Sequence, residues 1–301
     1  MKTYFLWLAK FISVMIIMVV FLPLLIVTIS KFGKDPASPA ETKNRVAIVE
    51  LTGPIMSAKD VLQELHKQIK NDKVQGIVLR IDSPGGLVAP SQEIFQTVQN
   101  LKKIKPIVVS MGSVAASGGL YASLGAAKIF AQAGTNTGSI GVVAQIPNFS
   151  KIAEKVGVDF WTVKSGELKD VGNPTREITE KDKQFMQSLV LEIYDQFLTD
   201  VATARNLDKE QVRKFADGRV LLGSQALEYG LIDSIGDVYD ASREIYNILD
   251  KPLPEGEYPE LLYKDEKFNK LIKFLEAVFE LPIKILNKDL LFNQKVELLL
   301  Y

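Results

Sequence analysis

Two glycine pairs mark places where this chain could carry out acyl-transfer chemistry. One is Ser83-Pro84-Gly85-Gly86, just after the apolar run Gly76–Ile81, and the other is Ala115-Ala116-Ser117-Gly118-Gly119, after Pro106–Met111. Both read as turns at the carboxyl ends of strands, where open α/β folds bind their ligands. Glycine adopts backbone conformations that other residues avoid and lets a ligand approach the main chain closely. Gly85 and Gly86 can therefore offer backbone N–H groups to an oxyanion. Ser117 stands where a strand gives way to a helix, with the first helical N–H groups aimed at developing negative charge. Tight packing of small residues would produce the same local pattern. The surroundings are not Gly-x-Ser-x-Gly, which weakens an α/β-hydrolase reading.

A serine nucleophile needs a base, because its hydroxyl is barely ionised near neutral pH. The chain has one histidine, His66, and no cysteine. Those counts exclude a His-rich metal site, a thiolate nucleophile, a disulfide framework and cysteine-bound zinc. His66 borders the apolar stripe Val61, Leu62, Leu65 and Ile69 on the helix expected over Ser57–Lys70, among Gln63, Lys67 and Lys70, and reads as a partly exposed surface residue. The base is then Lys, Asp or Glu. A Ser–Lys pair is one known solution, provided that burial or nearby positive charge keeps the amine neutral. No serine here has a lysine three residues later, so the lysine must come from a distant segment. Lys164-Ser165-Gly166-Glu167-Leu168-Lys169-Asp170 supplies one, with Lys169 beside Leu168 and Val171. A lysine is ordinarily a solvated surface charge, and the residues alone do not single out Lys169 from the others.

The elements that must position these groups alternate along the chain. Strands are expected over Val46–Leu51, Gly76–Ile81, Pro106–Met111, Lys128–Ala131 and Phe160–Val163. Helices are expected over Ser57–Lys70, Ala89–Leu101, Ala115–Leu124, Phe149–Val156, Thr179–Ala204, Lys209–Phe215, Ser224–Tyr229 and Asp237–Leu249. Thr179 can cap the long helix, with Asp182 adding negative charge in its first turn. The alternation predicts an α/β fold with mostly parallel strands over residues 46–250.

The 301 residues carry no formal net charge, which argues against nucleic acid as a partner. Phe11–Ser30 is uncharged and almost wholly apolar, long enough for one N-terminal transmembrane helix. It exceeds the apolar core of a cleaved signal peptide, so we read residues 1–31 as an uncleaved anchor and 32–45 as a tether. Lysines flank the run on both sides, at Lys2 and Lys10 and at Lys31 and Lys34, so charge does not set its orientation. After Pro252-Leu253-Pro254 the composition shifts to an amphipathic C-terminal tail, residues 251–301, suited to a membrane surface or to packing on a neighbouring element.

Five stretches in order resemble the signal peptide peptidase A family, in its short, single-copy bacterial form. They are Asp82-Ser83-Pro84-Gly85-Gly86, Ala115-Ala116-Ser117-Gly118-Gly119, Thr137-Gly138-Ser139-Ile140-Gly141-Val142, Lys164-Ser165-Gly166 through Lys169-Asp170, and Ala216-Asp217-Gly218-Arg219-Val220, spread over Arg45–Tyr246. The family's catalytic serine falls on Ser117 and its lysine on Lys169, a separation of 169 − 117 = 52 positions. The resemblance implies a ClpP/crotonase-like fold. It implies a membrane-anchored serine endopeptidase with a Ser–Lys dyad and no cofactor or metal, acting on remnant signal peptides and other extended peptides. It further implies that Gly86 and Gly118 form the oxyanion hole and that Ser139 orients the lysine. A homo-oligomeric ring with active sites shared between chains also follows, as does a bacterial inner-membrane location with the catalytic domain on the extracytoplasmic side. Extended substrate is expected along Gly85, Leu87 and Val88. Leu120 departs from the family, whose members often carry an aromatic residue before the equivalent of Tyr121. Other readings are a non-catalytic peptide-binding or scaffold member of the fold, a peptidase that cuts membrane proteins, and a crotonase-type acyl-CoA enzyme, which the anchor and Ser117 disfavour.

Overall fold

The computed structural model describes residues 44–264 together with Tyr4, Trp7, Leu8, Lys10, Phe11, Ser13 and Met15. The latter are helical, and the rings of Trp7 and Phe11 stack. Among the described residues no helix is long and apolar enough to cross a membrane. The expected span Phe11–Ser30 lies almost entirely outside the described residues, as does the tail beyond Lys264.

Three long strands set the frame: β1 (Arg45–Thr52), β2 (Gly76–Ser83) and β3 (Ile107–Ala115). They run parallel, with Ala47 opposite Ile77 and Leu79 opposite Val109. Helix α1 (Lys59–Ile69) joins β1 to β2, and α2 (Val88–Leu101) joins β2 to β3. The chain continues through α3 (Gly118–Ser123), β4 (Lys128–Ala131), β5 (Asn136–Gly138), α4 (Ser150–Lys155), a 3₁₀ turn (Glu167–Asp170) and the long α5 (Glu180–Arg205). It ends in α6 (Lys209–Arg213), β6 (Val220–Leu222), α7 (Gly223–Glu228), β7 (Ser234–Ile235), α8 (Val238–Ile248) and β8 (Glu260–Leu262). The sheet order is β6-β5-β3-β2-β1-β8, with β4 pairing β3 and β7; only the β5–β6 pair is antiparallel.

β2 and β3 are buried at most positions because both faces of the sheet are covered. Val49, Leu51, Ile77, Leu79, Ile81, Val109 and Met111 join one core with residues of α1, α2, α3 and α5. The opposite face carries Val46, Ile48, Val78 and Val108, packed under Ala241, Ile245 and Tyr246 of α8. Tyr121 ties three helices together. Its ring lies between Phe95 of α2 and Phe197 of α5, and its hydroxyl bonds the Asp200 carboxylate.

Strand and helix positions agree with expectation for the main elements, and Thr179 caps α5 in a capping box with Asp182. Two expectations are corrected. Ala115–Leu124 is not one helix: β3 runs to Ala115, and helix begins only at Gly118. Phe160–Val163 is not a strand: the stretch has no sheet partner, and Trp161 is 93 % exposed. The apolar pattern there belongs to an exposed segment rather than a core strand. Three-residue strands β5, β6 and β8 are too short to show a period in sequence. β8 adds an edge to β1 within the stretch read as tail.

Leu79 is fully buried in the central strand β2. Leu79→Ala is expected to destabilise the domain by about 2–5 kcal/mol through lost burial and a residual cavity. Urea unfolding of the two proteins measures this, and an unchanged midpoint would contradict the packing described.

Candidate active site

The turns after β2 and β3 meet face to face. Asp82 accepts from the Val114 N–H at 3.1 Å, and the Ser83 carbonyl accepts from the Ala116 N–H at 3.1 Å, locking the two strand ends together. Thr137 Oγ1 donates to the Ala115 carbonyl at 2.7 Å from the β5 side. The contact is too tight for side chains. A Cβ on Gly85 would lie 2.7 Å from the Gly118 nitrogen and 2.9 Å from the Ser117 Cβ. A Cβ on Gly118 would lie 2.4 Å from Ser91 Oγ and 3.2 Å from the Gly86 nitrogen.

Ser117 occupies a strained backbone position, φ 53° and ψ −118°, outside the regions that L-residues favour. Its N–H donates to the Gly138 carbonyl at 2.9 Å, and its carbonyl accepts from Tyr121 N–H at 2.9 Å. The half-buried side chain does not cap its own helix. Its Oγ has no hydrogen-bond partner among the described residues. The backbone is thus bound on both sides while the hydroxyl stays free.

Gly86 sits in a bridge to Ile55. Ile55 N–H donates to Gly85 O at 2.9 Å, and Leu87 N–H donates to Ile55 O at 2.8 Å. This pairing uses the groups on either side of Gly86 and leaves the Gly86 N–H unused. Gly118 is the first residue of α3, so its N–H has no carbonyl in its own helix to reach. Among the described residues neither the Gly86 nor the Gly118 N–H has an acceptor. Two unpaired N–H groups beside a free serine hydroxyl can stabilise an oxyanion on an acyl group attacked by that serine.

Ser139 follows the residue whose carbonyl binds Ser117, and its N–H donates to Arg219 O at 2.8 Å. Ser117, Gly86, Gly118 and Ser139 are therefore brought together. Gly85 is buried beneath the turn, Leu87 is exposed, and Val88 already belongs to α2. Leu87 itself is extended, at φ −67° and ψ 140°.

Lys169 is placed differently. It lies exposed on the 3₁₀ turn, and its amine has no hydrogen bond or ion pair among the described residues. Among the described residues no hydrogen bond links it to Ser117. Lys164 Nζ and Arg176 hold the Asp170 carboxylate next to it, at 2.6 and 2.8 Å, and push Asp170 down to about 2. The segment that carries Lys169 exposes Val143, Phe149, Ile152, Val156, Phe160, Trp161 and Val163. His66 is exposed on α1, as expected for a surface residue.

Several supporting groups were not singled out in the sequence. Asp82 and Thr137 belong to stretches already noted, yet their bonds to β3 depend on a strand register that is not visible in sequence. Arg176 lay outside every motif.

The family model "Peptidase family S49" matches residues 99–250, and the model "Clp protease" matches residues 40–136. A putative protease of Synechocystis sp. is 43 % identical over 66 % of this chain and 73 % of its own length. A putative signal peptide peptidase SppA of Enterococcus faecium is 44 % identical over 58 % of this chain and 52 % of its own. Protease 4 of Haemophilus influenzae is 36 % identical over 66 % of this chain and only 34 % of its own. The chain thus spans about half of the second relative and a third of the third. The Clp match falls on the parallel strands β1 to β3 and the two glycine turns, and supports a ClpP-like fold. With the match over residues 99–250, and with a relative matched over most of its length, the chain belongs to peptidase family S49.

Proposed function

We propose that the chain is a membrane-anchored serine endopeptidase that uses a Ser–Lys dyad to hydrolyse remnant signal peptides and other extended peptides. The observation that carries this reading is the Ser117 turn, where a strained backbone presents a free hydroxyl beside two unpaired N–H groups. Ser117 Oγ attacks the scissile carbonyl while neutral Lys169 takes its proton. The Gly86 and Gly118 N–H groups hold the oxyanion. Ser139, one residue from the Ser117 backbone contact, orients the lysine amine. Protonated Lys169 then serves the leaving amine, and water resolves the acyl-enzyme. This chemistry calls for no metal or cofactor. Extended substrate pairs with the main chain at Gly85–Leu87, as in strand addition.

Lys169 acts on the Ser117 of a neighbouring copy. Its exposure within one chain, and the exposed apolar segment that carries it, support a homo-oligomeric ring. The relative named as a signal peptide peptidase supports the substrate class. Residues 1–31 hold the enzyme in the bacterial inner membrane, with the catalytic domain outside the cytoplasm.

Cleavage of a fluorogenic peptide with a signal-sequence apolar core tests the dyad. Ser117→Ala and Lys169→Ala are each expected to lower kcat/KM by on the order of 10⁴-fold. Near wild-type rates for either variant would refute the dyad. Co-assembled Ser117→Ala and Lys169→Ala chains are expected to regain part of the activity, since some sites then combine an intact serine with an intact lysine. No recovery in verified mixed oligomers would place both groups in one chain. Deleting residues 1–31 is expected to move the protein from the membrane to the soluble fraction, and unchanged fractionation would rule out the N-terminal anchor.

A further inference from the structure

Seven charges lie where the 3₁₀ turn meets the start of α5, Lys164, Glu167, Lys169, Asp170, Arg176, Lys181 and Asp182, with Glu177 and the Glu180–Lys183 pair following in the same stretch. Six of them are paired with one another. Lys164 binds Asp170, Lys181 binds Glu167, and Arg176 bridges Asp170 and Asp182. The three paired cations balance the three paired anions. Among the described residues Lys169 alone of the seven has no partner.

Arg176 is the centre of the cluster. Its Nε donates to Asp170 Oδ2 at 2.8 Å, and its Nη2 donates to Asp170 Oδ1 at 3.1 Å and to the Asp170 carbonyl at 3.2 Å. The same guanidinium donates to both Asp182 oxygens, at 2.5 and 3.0 Å. Asp182 is buried and is fixed in turn by the Thr179 N–H at 2.9 Å in the α5 capping box. One rigid fork thus joins the residue next to Lys169 to the start of a 26-residue helix. A planar guanidinium holding two carboxylates by several bonds each gives fixed geometry that a lysine cannot match.

We propose that Arg176 is a positioning residue for peptide hydrolysis, which holds the Lys169 turn on α5 and cancels the carboxylate of Asp170, the next residue in the chain. The proposal rests on the reading of Lys169 as the base. The electrostatic half follows from sign. Without the guanidinium, Glu167, Asp170 and Asp182 would outnumber the two remaining paired cations, Lys164 and Lys181, and uncompensated negative charge favours the protonated amine. A base in that state needs higher pH to work.

The test is the pH profile of kcat/KM for the full-length protein with a fluorogenic peptide, alongside thermal unfolding. Arg176→Gln is expected to lower kcat/KM by about 10²-fold, the scale of a misplaced catalytic group, and to move the acid limb to higher pH. Asp170→Asn is expected to move the limb to lower pH. Arg176→Lys keeps the charge and is expected to leave the limb near wild type while recovering only part of the rate. The double variant Asp170→Asn with Arg176→Gln is expected to return the limb towards wild type. An unmoved limb in both Arg176→Gln and Asp170→Asn overturns the proposal, even if both lose rate or stability. Should Arg176→Gln fail to fold, the Asp170→Asn and Arg176→Lys profiles decide the matter. Lys169→Ala separates the two readings. If it keeps wild-type rates the base assignment falls. If it is inactive while Arg176→Gln is unaffected, the dyad stands and the role of Arg176 falls.

Discussion

At the carboxyl ends of β2 and β3 two pieces of main chain approach more closely than side chains allow. A single Cβ on Gly85 would collide with the facing turn, and one on Gly118 would collide with Ser91 of α2. That approach is possible because β2 and β3 are adjacent parallel strands with matched ends, held by Asp82 and Ser83 across the gap. The strained Ser117, its free hydroxyl and the unpaired N–H groups of Gly86 and Gly118 all follow from it. The buried sheet supplies the rigidity that keeps such a strained residue in place.

Lys169 obeys a different physics. No buried strand positions it; its turn is exposed and fastened by ion pairs to the start of α5. Exposed ion pairs contribute little to stability on their own. A multiply bonded guanidinium between two carboxylates, one of them buried, fixes geometry better than it fixes stability. The proposed nucleophile is thus set by packing and the proposed base by charge, on two parts of the chain with very different burial.

Much of this was legible in the residues. Apolar runs located β1 to β4 and the long helices, since each is long enough to show its period. The glycine pairs marked both turns, because a position with no room for Cβ leaves a trace in composition. Ser117 followed from its neighbours. Lys169 did not: lysines are common, and its selection rested on the order of motifs along the chain. Phe160–Val163 misled, because an exposed apolar run looks in sequence like one facing a core.

The sequence by itself determined the strand–helix alternation, the glycine turns, the serine set directly before the second glycine pair and the exclusion of cysteine and histidine-cluster chemistry. These depend on local periodicity and on residue types, which the chain carries explicitly. Tertiary structure alone decided which N–H groups stay unpaired, that Ser117 takes a positive φ and that Arg176 joins Asp170 to Asp182. Each of these depends on distances between segments remote in sequence. Such distances are set by strand register and helix packing, which no local pattern encodes.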